Sequence, residues 1–177
     1  MFWRKEDRKM IDSNRRPKLN IPRTKSEWVW DIIGYTFFIC SLIFFIASWN
    51  ELPDQVPAHY NAMGEVDRWG SKWELFILPG IGLFVVIPMH FLEKKPWLHN
   101  YPKRFNENNA KEFYILSRKL LNQLKNICLI IFSVLLLELV ILALGRGNGM
   151  GIWLLPAIII ATMAPIVIGL VKQRKIR

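Results

Sequence analysis

The residues best suited to carry chemistry lie in one stretch, residues 52–72, which separates two apolar runs. In an extended segment of this stretch, His59 and Asn61 project to the same side. Gly64 permits a tight turn, after which Asp67 can come back towards His59. The spacing therefore predicts a small polar cluster, which we treat as a candidate ligand-binding site. Its members in this stretch are His59, Asn61, Glu65, Asp67 and Arg68.

Other residues of the stretch are suited to shape it. Proline fixes φ and biases the residue before it towards extended geometry. The sequence Ser-Lys-Trp-Glu, which starts at Ser71, matches a capping box. In this motif the first and fourth side chains accept hydrogen bonds from backbone N–H groups at the start of a helix. We therefore expect structural roles for Pro53, Pro57, Gly64, Ser71 and Glu74.

The polar cluster offers little for catalysis. Zinc sites usually take three or four ligands rich in His and Cys, whereas this stretch has a single His and no Cys. The chain has no HExxH, GxSxG or phosphate-binding loop, and Ser71 has no evident base. We expect no metal, no cofactor and no enzymatic activity. Two interpretations stay open: a loop whose polar groups satisfy one another, and a surface that recognises an external peptide, lipid or small ligand.

Four apolar runs surround this stretch. They cover residues 28–49, 75–92, 126–144 and 151–171, and about 20 helical residues cross the core of a bilayer. In hydrocarbon a helix satisfies every backbone group within one segment. The sequence predicts an all-α, integral membrane four-helix bundle with an ordered outer loop.

The charge distribution predicts the orientation. Of the 24 Lys and Arg residues, 21 fall on one side of these spans and 3 on the other. Because cytoplasmic loops carry the excess of Lys and Arg, both termini should be cytoplasmic, with the His59 stretch outside, in a multi-pass protein of the cell membrane. The net charge of +10 is then a topology signal, and we expect no direct nucleic-acid partner.

These runs and charges divide the chain into five segments. We expect a basic cytoplasmic tail (residues 1–27), a membrane hairpin (28–92) that includes the loop 50–73, and a cytoplasmic loop with an amphipathic helix (93–125). A second membrane hairpin (126–171) and a second basic tail (172–177) follow. The first tail could be solvated or touch anionic lipid headgroups.

One helix should run from about residue 110 to residue 144, which is longer than the hydrocarbon core. Its apolar residues recur at steps of three and four, with Lys111, Arg118, Lys119 and Lys125 off that stripe. Its first half either protrudes to meet a soluble partner or packs on the loop before it.

Glu138 is the one acid deep within an apolar run, where an ionisable group is costly unless it is paired or protonated. It could bond to a neighbouring helix, reach Arg146, or point into a polar pocket roofed by the His59 loop. We include Glu138 among the candidate ligand-binding residues.

The stretch Leu-Pro-Asp-x-x-Pro-x-His-x-Asn-x-x-Gly-x-x-Asp-x-x-Gly-Ser-Lys, residues 52–72, resembles the signature of the domain of unknown function 1648. That domain occurs in bacterial multi-pass membrane proteins, including SdpI-type immunity proteins. The resemblance covers the first two spans and the loop between them. It implies protection of a producer cell from a secreted peptide toxin, and capture of a repressor at the membrane, without a catalytic role for any residue.

Taken together, these features lead us to expect a non-enzymatic immunity or sensing protein. Its expected partners are the lipid bilayer, a secreted peptide toxin or lipid-directed agent at the outer loop, and a cytoplasmic regulator at the basic inner surface. The proline-broken spans and Glu138 favour an alternative, a small transporter or an accessory subunit of a membrane complex.

Overall fold

A computed structural model describes residues 16–149 and 151–176. Four α-helices make up most of it: α1 (Lys25–Ser48), α2 (Ile77–Glu93), α3 (Ala110–Ala143) and α4 (Leu154–Lys175). A 3-10 turn, Lys72–Phe76, leads directly into α2, and two shorter ones cover Pro96–Leu98 and Gly151–Trp153. Residues 1–15 of the basic tail predicted from the sequence lie outside the described residues.

All four helices are long and apolar enough to cross a membrane, counting α2 and α4 with the turns before them. The prediction of an all-α membrane bundle is confirmed, and the fold is that of a multi-pass membrane protein. The apolar run at 126–144 forms only the second half of α3, which begins at Ala110 close to where the periodicity placed it.

Helix α3 lies at the centre and packs against α1, α2 and α4. Near the middle, Phe38 of α1, Val86 of α2 and Leu129 of α3 form a buried cluster. Gly34 lets α1 approach α3, because a Cβ built there would lie 2.3 Å from Asn126 Oδ1. A small residue at such a contact permits close helix approach in a membrane.

The stretch that we predicted as a loop is a β-hairpin. Strand β1 (Gln55–Tyr60) pairs antiparallel with β2 (Val66–Ser71), and the register is irregular around His59. Val56 is fully buried in a cluster with Phe45 of α1 and Val140 of α3. Pro57 is buried beside it, and Tyr60 packs against the same cluster, so the first strand anchors the hairpin on the helices.

The tip of the hairpin depends on Gly64. This residue has φ of 77°, in the left-handed region that favours glycine. A Cβ built on it would lie 2.1 Å from the carbonyl oxygen of Gly151, so the tip also contacts the connection between α3 and α4. The turn predicted at Gly64 is present, and its contact with Gly151 docks the hairpin.

The first half of α3 packs on the segment before it. Tyr101 and Phe105 contact Phe113 and Tyr114, with ring centroids 4.7 to 5.7 Å apart among the four. Arg16 lies over the rings of Tyr101 and Phe105 and donates to the carbonyl oxygen of Trp97 at 3.1 Å. Of the two arrangements considered for this half of α3, packing on the preceding loop is the one found.

Candidate functional site

The polar side chains of the hairpin bond to one another. His59 Nδ1 lies 2.6 Å from Asp67 Oδ1, so the turn at Gly64 brings these two residues together. Asn61 Nδ2 donates to Glu65 Oε2 at 3.1 Å, and Asn61 Oδ1 accepts from the backbone N–H of Met63 and of Glu65. Both side chains of the His59–Asp67 pair are well exposed, so the pair is ordered but open to an approaching ligand.

Arg68 points away from this pair, towards the start of the helix. Its Nη2 lies 2.9 Å from Glu74 Oε2 and also donates to the carbonyl oxygen of Ala58. The Glu74 carboxylate raises the pKa of Arg68. The capping box read from the sequence is present, since Ser71 Oγ accepts from Trp73 N–H and Glu74 accepts from the backbone N–H of Ser71. Arg68 thus joins the hairpin to the cap.

A groove of about 420 Å³ opens beneath the hairpin. His59, Tyr60 and Asn61 line its upper side, and Leu78, Leu139 and Leu155 line its lower side. The lower residues come from α2, α3 and α4. The groove therefore has a polar rim and apolar walls, which is the pattern of a site for an amphipathic molecule.

Tyr60 lines this groove, and Glu138 is near enough for its charge to act on the Tyr60 hydroxyl. The Tyr60 hydroxyl is buried and has no hydrogen-bond partner within the described residues. Burial, followed by the Glu138 charge, raises the pKa of Tyr60 to about 12. Glu138 Oε1 also lies 4.0 Å from where a Cβ of Gly149 would stand. Glu138 is accordingly directed towards the underside of the hairpin.

Arg146 does not meet Glu138. Its Nη2 lies 2.9 Å from Glu51 Oε2, so the Glu138–Arg146 contact considered from the sequence is wrong. Across residues 16–149 and 151–176, Glu138 has no ion-pair partner. The hairpin end of the bundle therefore holds a half-buried acid that no described cation neutralises.

The opposite end of the bundle contains a buried ionic network that the sequence did not reveal. Lys125 Nζ lies 2.7 Å from Glu93 Oε2 and 3.0 Å from Asp31 Oδ1. Arg118 binds Glu27 through two nitrogens, at 2.7 and 3.2 Å. These five side chains belong to α1, α2 and α3 and are all buried.

Arg23 and two asparagines complete this network. Arg23 bonds to Asp31 and to Glu93, and Asn122 Nδ2 donates to the same two carboxylates at 2.8 and 2.9 Å. Asn126 Nδ2 donates to Asp31 at 2.8 Å. Three cations balance three carboxylates, so the network is neutral, as buried charges require. We call it the buried network. Its members are Arg23, Glu27, Asp31, Glu93, Arg118, Asn122, Lys125 and Asn126.

Arg118 and Lys125, which the periodicity places off the apolar stripe of α3, are both buried. A signal was present: Arg118, Asn122, Lys125 and Asn126 recur at steps of four, three and one, which places them along one side of a helix. Their partners Glu27 and Asp31 are four residues apart on α1. Asp31, seven residues into α1, is thereby a member of this network although it lies early in an apolar run.

Residues 36–83 match the family model described as domain of unknown function (DUF1648). The DUF1648 segment contains the second half of α1, the hairpin, the capping box and the start of α2. The buried network and Glu138 lie outside it. The resemblance inferred from the His59 stretch is therefore confirmed for this part of the chain.

A 36-residue stretch is 47% identical to an uncharacterized protein of Archaeoglobus fulgidus. This stretch is 20% of the present chain and 20% of the archaeal protein, so the chain spans about a fifth of the length of that relative in the alignment. No solved structure gives a significant match. These comparisons identify a DUF1648 segment in the first part of the chain and assign no function to it.

Proposed function

We propose that this protein is a non-enzymatic immunity or signal-sensing protein of the cell membrane, similar in role to SdpI-type proteins, with both termini cytoplasmic. The observation that carries the proposal is the groove under the hairpin, which has a polar rim at His59 and Asn61 and apolar walls from three helices. A secreted peptide that acts on membranes is amphipathic, and such a ligand matches both parts of the groove.

The charges around the groove favour a ligand with positive groups. Three of the basic residues at this end are already paired with acids: Arg68 with Glu74, Lys72 with Asp54, and Arg146 with Glu51. Glu65, Asp67 and Glu138 have no Lys or Arg partner in the part of the chain that the structure describes. The surface that meets the ligand is therefore acidic, although the whole chain carries a net charge of +10. Opposite charges steer association and select partners.

The absence of enzymatic activity is part of this proposal. Ser71 Oγ, the serine hydroxyl nearest in sequence to Asp67, is engaged in capping the helix at Trp73 N–H. Both His59 and Asp67 remain well exposed, whereas catalytic pairs work best in sites that exclude water. The arrangement is better suited to recognition than to acid–base chemistry. A cytoplasmic regulator at the basic end completes the proposed role.

The test is challenge of a deletion strain with the secreted peptides of its own species. We expect the strain to be sensitised to one of them and to be rescued by the wild-type gene. His59→Ala with Asp67→Asn should fail to rescue, and Asp54→Asn, a nearby exposed acid, should rescue fully. Unchanged sensitivity of the deletion strain to every peptide would reject the proposal.

A second candidate function rests on Glu138 and on the prolines within α2 and α4. Glu138 is half-buried and has no ion-pair partner among the described residues. An ionisable residue in a transmembrane helix is costly to bury, and it therefore indicates a functional site by default. Pro88 and Pro165 also lie inside α2 and α4, where each removes one intrahelical hydrogen bond. A small transporter or accessory subunit would use Glu138 to carry a proton or cation. Flux into proteoliposomes that is unchanged by Glu138→Gln would remove this acid from the mechanism.

A further inference from the structure

A second groove lies at the opposite end of the bundle, between α1, α3 and α4, and measures about 230 Å³. Its polar lining includes Ser26 of α1, Lys119 and Gln123 of α3, and Lys172 of α4. Its apolar lining on α4 includes Pro165 and Ile168. We call it the basic groove. Ser26 lies in the first turn of α1 and Lys172 in the last turn of α4, so the groove lies at the ends of these spans, where a bilayer meets water.

The two lysines of the basic groove are not neutralised. Neither Lys119 nor Lys172 forms an ion pair within residues 16–149 and 151–176. Glu27 lines the same groove, but its two carboxylate oxygens are occupied by Arg118 and by Thr24. The neighbouring buried network is neutral in itself and supplies no spare acid. Two positive charges from different helices therefore converge on a groove that offers them no counterion.

The floor of the basic groove contains an unused acceptor. Asn122 is fully buried, and its Nδ2 is committed to Asp31 and Glu93. Its Oδ1 has no hydrogen-bond partner among the described residues. A buried amide oxygen without a partner is unfavourable and is normally satisfied by a ligand or water. A ligand with a hydroxyl group next to its negative charge would satisfy Asn122 and both lysines.

We propose that the basic groove binds the headgroup of an anionic phospholipid, with phosphatidylglycerol as the best chemical match. The phosphate lies between Lys119 and Lys172 and accepts a hydrogen bond from Ser26. A glycerol hydroxyl donates to Asn122 Oδ1. Pro165 and Ile168 continue the groove towards the bilayer-facing surface of α4, where acyl chains pack. Basic pockets between transmembrane helices are a recognised way to hold such headgroups. This site is separate from the hairpin groove and does not depend on the proposed immunity role.

The test uses the purified full chain in detergent and native mass spectrometry with added phosphatidylglycerol or phosphatidylcholine. We expect bound phosphatidylglycerol to survive delipidation and phosphatidylcholine to be lost. Replacing Lys119 and Lys172 with Gln should weaken phosphatidylglycerol binding about fivefold for each lysine. The matched control replaces Lys95 and Lys103 with Gln, since these are exposed, without ion pairs among the described residues and remote from the groove lining. It should bind as the wild type does.

Three results would overturn the proposal. One is equal binding of both lipids by the wild type. Another is an equal loss in the Lys95 and Lys103 control, which would mean non-specific attraction. The last is displacement of the lipid by inorganic phosphate at matched concentration, which would mean a site for a soluble anion. Lys119→Arg with Lys172→Arg should retain binding, and circular dichroism melts check that each variant is folded.

Discussion

Lys125 Nζ lies 2.7 Å from Glu93 Oε2, and the lysine has no exposed surface at all. The two residues are 32 positions apart and join the middle of α3 to the end of α2. Asp31 of α1 contacts the same ammonium group at 3.0 Å. A single lysine therefore ties together three helices at the end opposite the hairpin.

Removing that lysine should destabilise the fold strongly. We expect Lys125→Met to lower the free energy of unfolding by about 3–5 kcal/mol, because two buried carboxylates keep only Arg23 as a cation and the network is left with an excess negative charge. The measurement is denaturation in detergent micelles, followed by circular dichroism. Lys119→Met, on the same helix and not ion-paired among the described residues, is the control and should change stability by about 0.5 kcal/mol or less.

A double variant separates charge balance from packing. Lys125→Met combined with Glu93→Gln removes one charge of each sign, so its loss of stability should be smaller than the sum of the two single losses. Strict additivity would mean that the two groups do not interact.

The hairpin tip should not tolerate a side chain at Gly64. Gly64→Ala would place an alanine at φ of 77° and its Cβ 2.1 Å from the Gly151 carbonyl oxygen. The backbone strain alone is about 1–2 kcal/mol. We expect faster hydrogen exchange across Gln55–Ser71, with α1 and α3 unaffected. Gly80→Ala is the matched control, since nothing lies within 4 Å of its Cβ. Equal exchange in both variants would show that the tip is not docked.

Stability should fall in mild acid because of His99. Burial lowers the pKa of this imidazole, whose Nδ1 lies 3.0 Å from Ser117 Oγ and whose Nε2 lies 3.0 Å from the Leu92 carbonyl oxygen. The unfolded chain then binds a proton more readily than the folded one. The contribution of His99 is complete above its ordinary pKa, about 6.5, and is lost as the pH falls below it.

The measurement is the melting temperature of wild type and His99→Gln between pH 7.5 and 5. We expect the difference between the two proteins to shrink in acid. Asn100→Ala, an exposed neighbour, should follow the wild type at every pH. A constant difference between wild type and His99→Gln would contradict the prediction.

Tyr60 should report directly on Glu138. Because burial and the Glu138 charge raise the pKa of Tyr60 to about 12, its ionisation lies above that of an ordinary tyrosine. Because the folded chain holds the phenol proton more tightly than the unfolded chain, ionisation of Tyr60 leaves stability unchanged below pH 10 and lowers it as the pH rises towards 12. An ultraviolet titration, corrected with Tyr60→Phe, should show the late ionisation.

Glu138→Gln should lower the pKa of Tyr60. The pKa should stay above that of an ordinary tyrosine, because Tyr60 remains buried. Tyr60→Phe should unfold no more easily than wild type at neutral pH, because its hydroxyl has no partner to lose among the described residues. An unchanged titration in Glu138→Gln would place the acid away from the hairpin.

The sequence by itself determined the membrane helices and much of the hairpin's local chemistry. Long apolar runs and caps act over a few neighbouring residues, so α3 starts at Ala110 and the helix cap at Ser71 and Glu74 forms as expected. The proximity of His59 and Asp67 was also predictable, because they flank one turn.

Only the tertiary structure decided which charges are buried. Arg118 and Glu27 are 91 positions apart, and helical periodicity cannot distinguish a charged face that meets water from one that meets opposite charges on another helix. The pairing of Arg146 with Glu51 rather than Glu138 was likewise set by how the hairpin end packs. Local sequence patterns determine where the helices form. The free energy of a buried charge depends instead on partners that only the assembled bundle brings close.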